Sequence, residues 1–315
     1  MPFSGRRMET NRLLALVDEL AEMGVFDLTL AGGEPLLHPD ILVVISRAIN
    51  QGIRVGLLTN GVLLDGPMVD EMARTPKHQN FLVQVSIDSA EAAINNLTRG
   101  YTDRVIRNIR QAVEAGLEVQ IACVLSKVNL AQAHLLIDAF YPAVKRYHFL
   151  NIQRTTSTLK RPELLLDEDE ALGFWLHLNE YRKQFPEDLF LPSLRLQLRA
   201  TGLADQTPEY ALGEVATFDC ASCSAGWTHV NIDAGFNVLG CDIAKDFTYM
   251  GSILDTSFEV VWHSDLAAKV REAKYPACYN IQNAEGEALR NELRPEYVNF
   301  CPSQEAMREP LRRRG

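Results

Sequence analysis

No apolar run in this chain approaches the roughly 20 residues that a membrane-spanning helix needs. Residues 1–12 are too polar to read as a signal peptide. The expected location is therefore the cytoplasm, with no membrane partner. Positive charge is also short: the formal net charge is −10, and the only basic cluster, Arg312-Arg313-Arg314, is a short tail. That balance argues against a nucleic-acid surface. Cysteine is nearly missing up to residue 219, where Cys123 stands alone. Six cysteines in a cytosolic chain do not imply a disulfide framework. Five of them follow residue 219, and that crowding favours metal or cluster binding over scattered core packing.

The 315 residues, 47% of them hydrophobic, suffice for one large domain or two smaller ones. The first half repeats a single unit. Leu13, Leu16, Val17, Leu20 and Ala21 share one helical face, Gly24 ends that helix, and Phe26 to Ala31 read as a strand. Ile41, Val44, Ile45, Ala48 and Ile49 form the next helical stripe, followed by a strand from Ile53 to Leu58 that ends in Thr59-Asn60-Gly61. A helix near Asp65 to Arg74 leads to a strand from Phe81 to Ile87, which ends in Ser86-Ile87-Asp88. A helix through Val105, Ile109 and Ala112 precedes a strand from Val119 to Leu125. Another helix near Leu130 to Tyr141 precedes a strand near Tyr147 to Ile152. Helices alternating with short apolar strands mean a parallel α/β sheet with right-handed crossovers. No strand precedes the first helix, so the Phe26 to Ala31 strand is expected at an edge.

The stretch Leu28-Thr29-Leu30-Ala31-Gly32-Gly33-Glu34-Pro35 stands out as an apolar strand that stops at two glycines, a carboxylate and a proline. Without Cβ atoms, the peptide groups of Gly32 and Gly33 can touch a small molecule. Glu34 can hold an ammonium group by charge-assisted hydrogen bonds. A tight turn with a solvated Glu explains the same four residues. The polar strand ends at Glu34, Thr59, Asn60, Ser86 and Asp88 would, however, gather at one rim of a parallel sheet, where α/β proteins bind ligands.

Residues 155 to 215 read as a helical connection. Asp167 with Glu170 makes a capping box, and Phe174, Leu178, Tyr181 and Phe185 form an aromatic stripe expected in the core. After it, Thr228, Val230 and Ile232 alternate with polar residues, Ala234-Gly235 supplies a turn, and Asn237 to Cys241 returns as a second strand. The hairpin would bring Cys241 back towards Cys223, with Cys278 and Cys301 available to complete a four-cysteine site. Such thiolates suit zinc or an iron–sulfur cluster. Spacing alone leaves zinc and independently buried cysteines open, and Cys220 could exchange roles with Cys223. Cys123, in mid-strand, reads as a core residue.

Leu-Ala-Gly-Gly-Glu-Pro-Leu-Leu-His-Pro-Asp at 30–40 resembles the segment of radical S-adenosylmethionine enzymes that binds the methionyl amino group. Thr59-Asn60-Gly61, Ser86-Ile87-Asp88 and Arg99-Gly100 are similar to the later signatures of that family, in its order. Cys223-Ser-Ala-Gly226 leading to Cys241, then Gly251 to Trp262, resembles its C-terminal auxiliary-cluster extension, called SPASM or, when shortened, twitch. The resemblance implies a partial (β/α)6 TIM-like barrel over 1–154 with its first strand missing. A helical connection over 155–215 and a cysteine-rich hairpin/helix extension over 216–315 would follow.

By the same resemblance the cofactors are S-adenosylmethionine and one auxiliary [4Fe–4S] cluster. Gly32, Gly33, Glu34, Pro35, Thr59, Asn60, Ser86, Asp88 and Arg99 would line the cofactor. Glu34 would meet the ammonium, Ser86 and Asp88 the ribose or a neighbouring polar group, and Arg99 the carboxylate. Cys223, Cys241, Cys278 and Cys301 would hold the cluster. The implied activity is generation of a 5′-deoxyadenosyl radical to modify a peptide or small molecule, with electrons from a donor such as a flavodoxin or ferredoxin. A non-catalytic iron–sulfur protein that recognises a peptide or partner enzyme is the alternative. The family's Cys-x3-Cys-x2-Cys loop should lie ahead of Met8, and residues 1–12 contain no cysteine. The chain as written is therefore expected to lack the catalytic cluster's ligands, through a misplaced start or a true loss. Phe236 stands where the family's hairpin has glycine, so the turn type is expected to differ.

Overall fold

The structure, a computed structural model, describes residues 7–75, 80–152, 161–194, 226–241 and 248–272. The chain divides into two compact units, Glu9–Ile152 with Glu163–Arg195, and Met1–Met8 with Gln153–Pro162 and Leu196–Gly315.

The first unit runs α1 (Thr10–Glu22), β1 (Asp27–Leu30), α2 (Ile41–Asn50), β2 (Arg54–Thr59), α3 (Gly66–Ala73), β3 (Phe81–Ser86), α4 (Ala92–Asn95), α5 (Thr102–Glu114), β4 (Glu118–Leu125), α6 (Leu135–Phe140) and β5 (Arg146–Asn151), with α7 (Glu168–Tyr181) after it. The five strands form one sheet in the order β1-β2-β3-β4-β5, every neighbouring pair parallel. Short loops joined to helices force this arrangement, because parallel neighbours need a crossover. Register follows the apolar pattern, with Leu57 beside Val83, Val83 beside Val119 and Ile121 beside Tyr147. Leu16, Val17 and Leu20 of α1, and Ile41, Val44, Ile45, Ala48 and Ile49 of α2, are buried. The sheet is an open α/β half-barrel of five strands, and among the described residues it does not close.

Several expectations are corrected in detail. Phe26 lies outside β1 and is 74% exposed, because the edge strand packs few side chains on its outer side. The helix expected from Leu130 is regular only over Leu135–Phe140. Asn129 diverts the preceding residues: its Oδ1 accepts from the Ser126 N–H at 2.8 Å and its Nδ2 donates to the Asp88 and Val124 carbonyls at 2.9 Å each. The one-turn helix α4 is an addition that carries no apolar period in the sequence.

Asp167 caps α7 and the reciprocal bonds with Glu170 are made, at 2.8 and 2.9 Å. Phe174 and Leu178 are buried, while Tyr181 and Phe185 are half-buried and meet ring to ring at 5.6 Å. Phe174 packs at 5.6 Å from Phe149 of β5, and the Trp175 indole N–H donates to Asn151 at 3.2 Å. Residues 163–195 of the expected connection thus belong to this unit.

In the second unit β6 (Asn231–Ile232), β7 (Asn237–Leu239) and β8 (Tyr249–Ser252) make a three-stranded antiparallel sheet, followed by α8 (Phe258–Trp262) and α9 (Asp265–Glu272). The hairpin is present with shorter strands than expected. Its turn is held by Asp233, whose Oδ1 accepts from the Gly235 N–H at 2.8 Å and the Asn237 N–H at 3.0 Å. Phe236 takes the left-handed conformation that glycine ordinarily supplies, at φ 60°. Burial of its ring, 7% exposed, compensates that cost.

Candidate functional site

All five strands run the same way, so Leu30, Thr59, Ser86, Leu125 and Asn151 end on one rim. Gly32 and Gly33 are exposed there. Gly32 sits at φ 143°, and a Cβ built on it would meet nothing within 4 Å, so the conformation and not crowding calls for glycine. Glu34 then turns back over the rim. Its Oε1 accepts from the Leu36 N–H at 3.1 Å and from the Thr59 hydroxyl at 2.8 Å, and its Oε2 accepts from the Asn60 N–H at 2.8 Å. A carboxylate offers about four acceptor sites. Three donors leave room for one more, and Glu34 remains only half-buried. Pro35 opens the short 3-10 turn Pro35–Leu37 that secures this bend.

The β2 end is equally built. Thr59 is 2% exposed, and its hydroxyl also accepts from the Gly61 N–H at 3.1 Å. Gly61 has φ +76°, and a Cβ there would come within 2.7 Å of Val85 Cγ1. Asn108 of α5 donates to the Gly61 carbonyl at 2.8 Å and fixes the turn from behind.

Asp88, just beyond β3, is 4% exposed and surrounded by protein partners. Its Oδ1 accepts from the Val124 N–H at 2.9 Å. Its Oδ2 meets the Thr98 hydroxyl and the Arg99 Nε, both at 2.9 Å. Arg99 keeps 27% of its side chain exposed. Asn95, buried on α4, accepts from the Asp88 N–H at 2.8 Å, and Asn129 grips the Asp88 carbonyl. Two clusters of expected residues therefore form, Glu34 with Thr59 and Asn60, and Asp88 with Arg99. Ser86 stands half-buried at the end of β3. Asn95, Asn108 and Asn129 escaped the sequence reading, and their only signal is an amide embedded among apolar neighbours.

Cys123 is 1% exposed, with its thiol 3.6 Å from the Asp88 carbonyl. Burial first, then the Asp88 charge, pushes that thiol well above its ordinary range. A thiol so placed is inert and is the core residue expected.

Cys241 lies just past β7 and is half-buried. Its N–H donates to Thr248 Oγ1 at 3.0 Å, and that hydroxyl donates to the Cys241 carbonyl at 2.9 Å. Both backbone groups are thus satisfied internally, and no disulfide engages the thiol among the described residues. Cys220, Cys223, Cys278 and Cys301 lie outside the described residues. The donor chemistry of Cys241, a half-buried thiol on a fixed backbone, fits a thiolate-bound metal or cluster.

Residues 1–139 match the family model of the radical SAM superfamily, and residues 223–281 match the SPASM model of an iron–sulfur cluster-binding domain. Residues 1–139 thus carry a radical SAM domain and residues 223–281 a SPASM domain. It is 25% identical over 267 residues to a PqqA peptide cyclase of Granulibacter bethesdensis, covering 82% of this chain and 66% of that protein. It is 27% identical over 280 residues to the mycofactocin maturase MftC of Mycobacterium tuberculosis, covering 85% and 67%. The chain spans about two thirds of the length of these curated relatives. Among solved structures, anSMEcpe with bound AdoMet superposes with a TM-score of 0.64 at 17% identity, over 98% of this chain and 89% of that one. Streptococcus suis SuiB superposes with a TM-score of 0.66 at 18% identity, over 86% and 63%. These two likenesses show the fold. No helix among the described residues is long and apolar enough to cross a membrane.

Proposed function

We propose that this radical SAM chain binds S-adenosylmethionine at the rim built by Glu34, Thr59 and Asn60, and modifies a peptide. The observation that carries the reading is the half-buried Glu34 carboxylate, held by three donors at the rim that also carries the exposed Gly32 and Gly33. A methionyl ammonium supplies a fourth donor, and the exposed peptides of Gly32 and Gly33 lie alongside it. Ser86 is offered to the ribose. Asp88 is assigned to positioning: it orients Arg99, whose exposed side meets the cofactor carboxylate as a charge-assisted pair. When bound beside a reduced [4Fe–4S] cluster, S-adenosylmethionine supplies a 5′-deoxyadenosyl radical that abstracts hydrogen from the substrate. The protein's contribution at this rim is binding and orientation.

The peptide class rests on the printed activities of the relatives, PqqA peptide cyclase and mycofactocin maturase. In this reading residues 216–315 form the auxiliary-cluster domain, with Cys223, Cys241, Cys278 and Cys301 as ligands and Cys220 as the spare. The barrel expected over 1–154 is extended by α7. A flavodoxin or ferredoxin delivers electrons, and the compartment is the cytoplasm.

Cys123 is the one cysteine in residues 1–219 and is buried in β4, so the rim is tested by binding rather than turnover. Calorimetry with S-adenosylmethionine should give saturable binding that competes with S-adenosylhomocysteine. No measurable heat at millimolar ligand would remove the rim from consideration. Absence of 5′-deoxyadenosine after chemical reduction of a reconstituted sample that binds the cofactor would select the alternative, a non-catalytic iron–sulfur protein that recognises a peptide or partner enzyme.

A further inference from the structure

Arg271, near the end of α9, ties that helix to two other segments of the second unit. Its Nε donates to the Gly226 carbonyl at 2.8 Å and its Nη2 to the Trp262 carbonyl at 2.7 Å. The guanidinium lies 4.1 Å from the Trp262 ring centroid and 5.9 Å from that of Trp227. Two carbonyls and two indoles thus hold a half-buried cation with no carboxylate partner among the described residues. A partly desolvated charge is costly, and the two carbonyls and two ring faces take it up.

The backbone it holds leads to Cys241. Gly226 turns at φ +80° and its N–H donates to the His229 carbonyl at 2.9 Å. Gly226 and Gly240 lie face to face: a Cβ built on Gly240 would stand 3.5 Å from the Gly226 Cα. Val270, next to Arg271, presses its Cγ1 on both glycine positions, at 3.6 and 3.3 Å from the added Cβ atoms. The Gly240 N–H donates to the Thr248 carbonyl at 2.7 Å, and Thr248, 1% exposed, brackets the Cys241 backbone. A continuous set of contacts therefore runs from Arg271 through Gly226 and Gly240 to Cys241.

The geometry points to Arg271 as a positioning residue for thiolate ligation at Cys241. Through the Gly226 carbonyl it holds Gly226 against Gly240, the residue before Cys241. The inference rests on the auxiliary-cluster reading of Cys241. Fork geometry and charge separate by substitution. Lysine keeps the charge but lacks the planar fork that joins two carbonyls while stacking on an indole.

The test uses the full chain reconstituted anaerobically with iron and sulfide, as wild type, Arg271→Lys, Arg271→Met and Cys241→Ala. Arg271→Met should still take up iron, with altered g-values of the reduced cluster and iron loss to a chelator about 10-fold faster, the usual scale for a lost outer-shell partner. Arg271→Lys should not restore the chelator resistance. Wild-type g-values and chelator resistance in Arg271→Met, with a lowered melting temperature alone, would overturn the inference. If Arg271→Met does not fold, wild-type chelator resistance in Arg271→Lys overturns it. Full iron in Cys241→Ala instead sinks the auxiliary-cluster reading, so the two failures are distinguishable.

Discussion

Glu34 accepts three hydrogen bonds before any ligand arrives, and this presets its direction. Glu34→Gln keeps the size and replaces a charge by an amide whose NH2 opposes one of those donors. Hydrogen bonds to charged groups contribute about 1.5–3 kcal/mol, so S-adenosylmethionine affinity should fall roughly 10- to 100-fold by calorimetry. Equal affinity would take Glu34 out of the site. Asp88 behaves differently because it is buried against Arg99. Asp88→Ala leaves that guanidinium and the Val124 N–H without partners and should cost about 3 kcal/mol of stability in urea titrations, the lower part of the range for a broken buried pair. Its effect on cofactor affinity should be matched by Arg99→Ala, since Asp88 acts through Arg99. At this scale the polar strand ends were legible as residue types. Which of them face one another was not, since the Glu34–Asn60 and Asp88–Val124 contacts join residues 26 and 36 positions apart.

Turns and helix ends carry the next level. Gly61 combines φ +76° with a Cβ position 2.7 Å from Val85 Cγ1. Gly61→Ala should therefore lose about 2–4 kcal/mol, from left-handed strain together with overpacking, read as a lowered urea midpoint at unchanged slope. The hairpin makes the opposite case. Phe236→Gly relieves a strained backbone worth about 1–2 kcal/mol but removes a buried ring worth about 1.5–3 kcal/mol and frees the unfolded chain. Net destabilisation of the β6–β8 sheet is expected, and a gain in melting temperature would show that the ring contributes little. The alternating helices and strands were legible because each buries one periodic face. Asn129 shows where that legibility stops: the apolar residues from Leu130 fit a helix, yet the side chain bonds of Asn129 hold the preceding chain in turns until Leu135.

For the whole first unit, two histidines couple stability to pH between neutral and pH 5. Burial holds His134 below its ordinary 6.5, with the charge of His177 adding to it, and burial alone lowers His148. Below that value the unfolded chain binds more protons than the folded one, so stability present above about pH 6.5 is lost as pH falls towards the folded-state values. A His134→Gln/His148→Gln double variant should flatten this dependence in urea titrations between neutral pH and pH 5, and an unchanged slope would place it elsewhere. The periodic apolar residues by themselves determined an α/β unit with a polar rim, and the cysteine spacing determined a separate thiol-rich region. Both are local signals, because a helix or strand declares its buried face within a few turns. Only the tertiary structure decided that Glu34 is clamped by β2, that Asp88 serves Arg99, and that Arg271 holds the backbone beside Cys241. Those pairings depend on sheet register and close approach between distant segments, which no local pattern encodes.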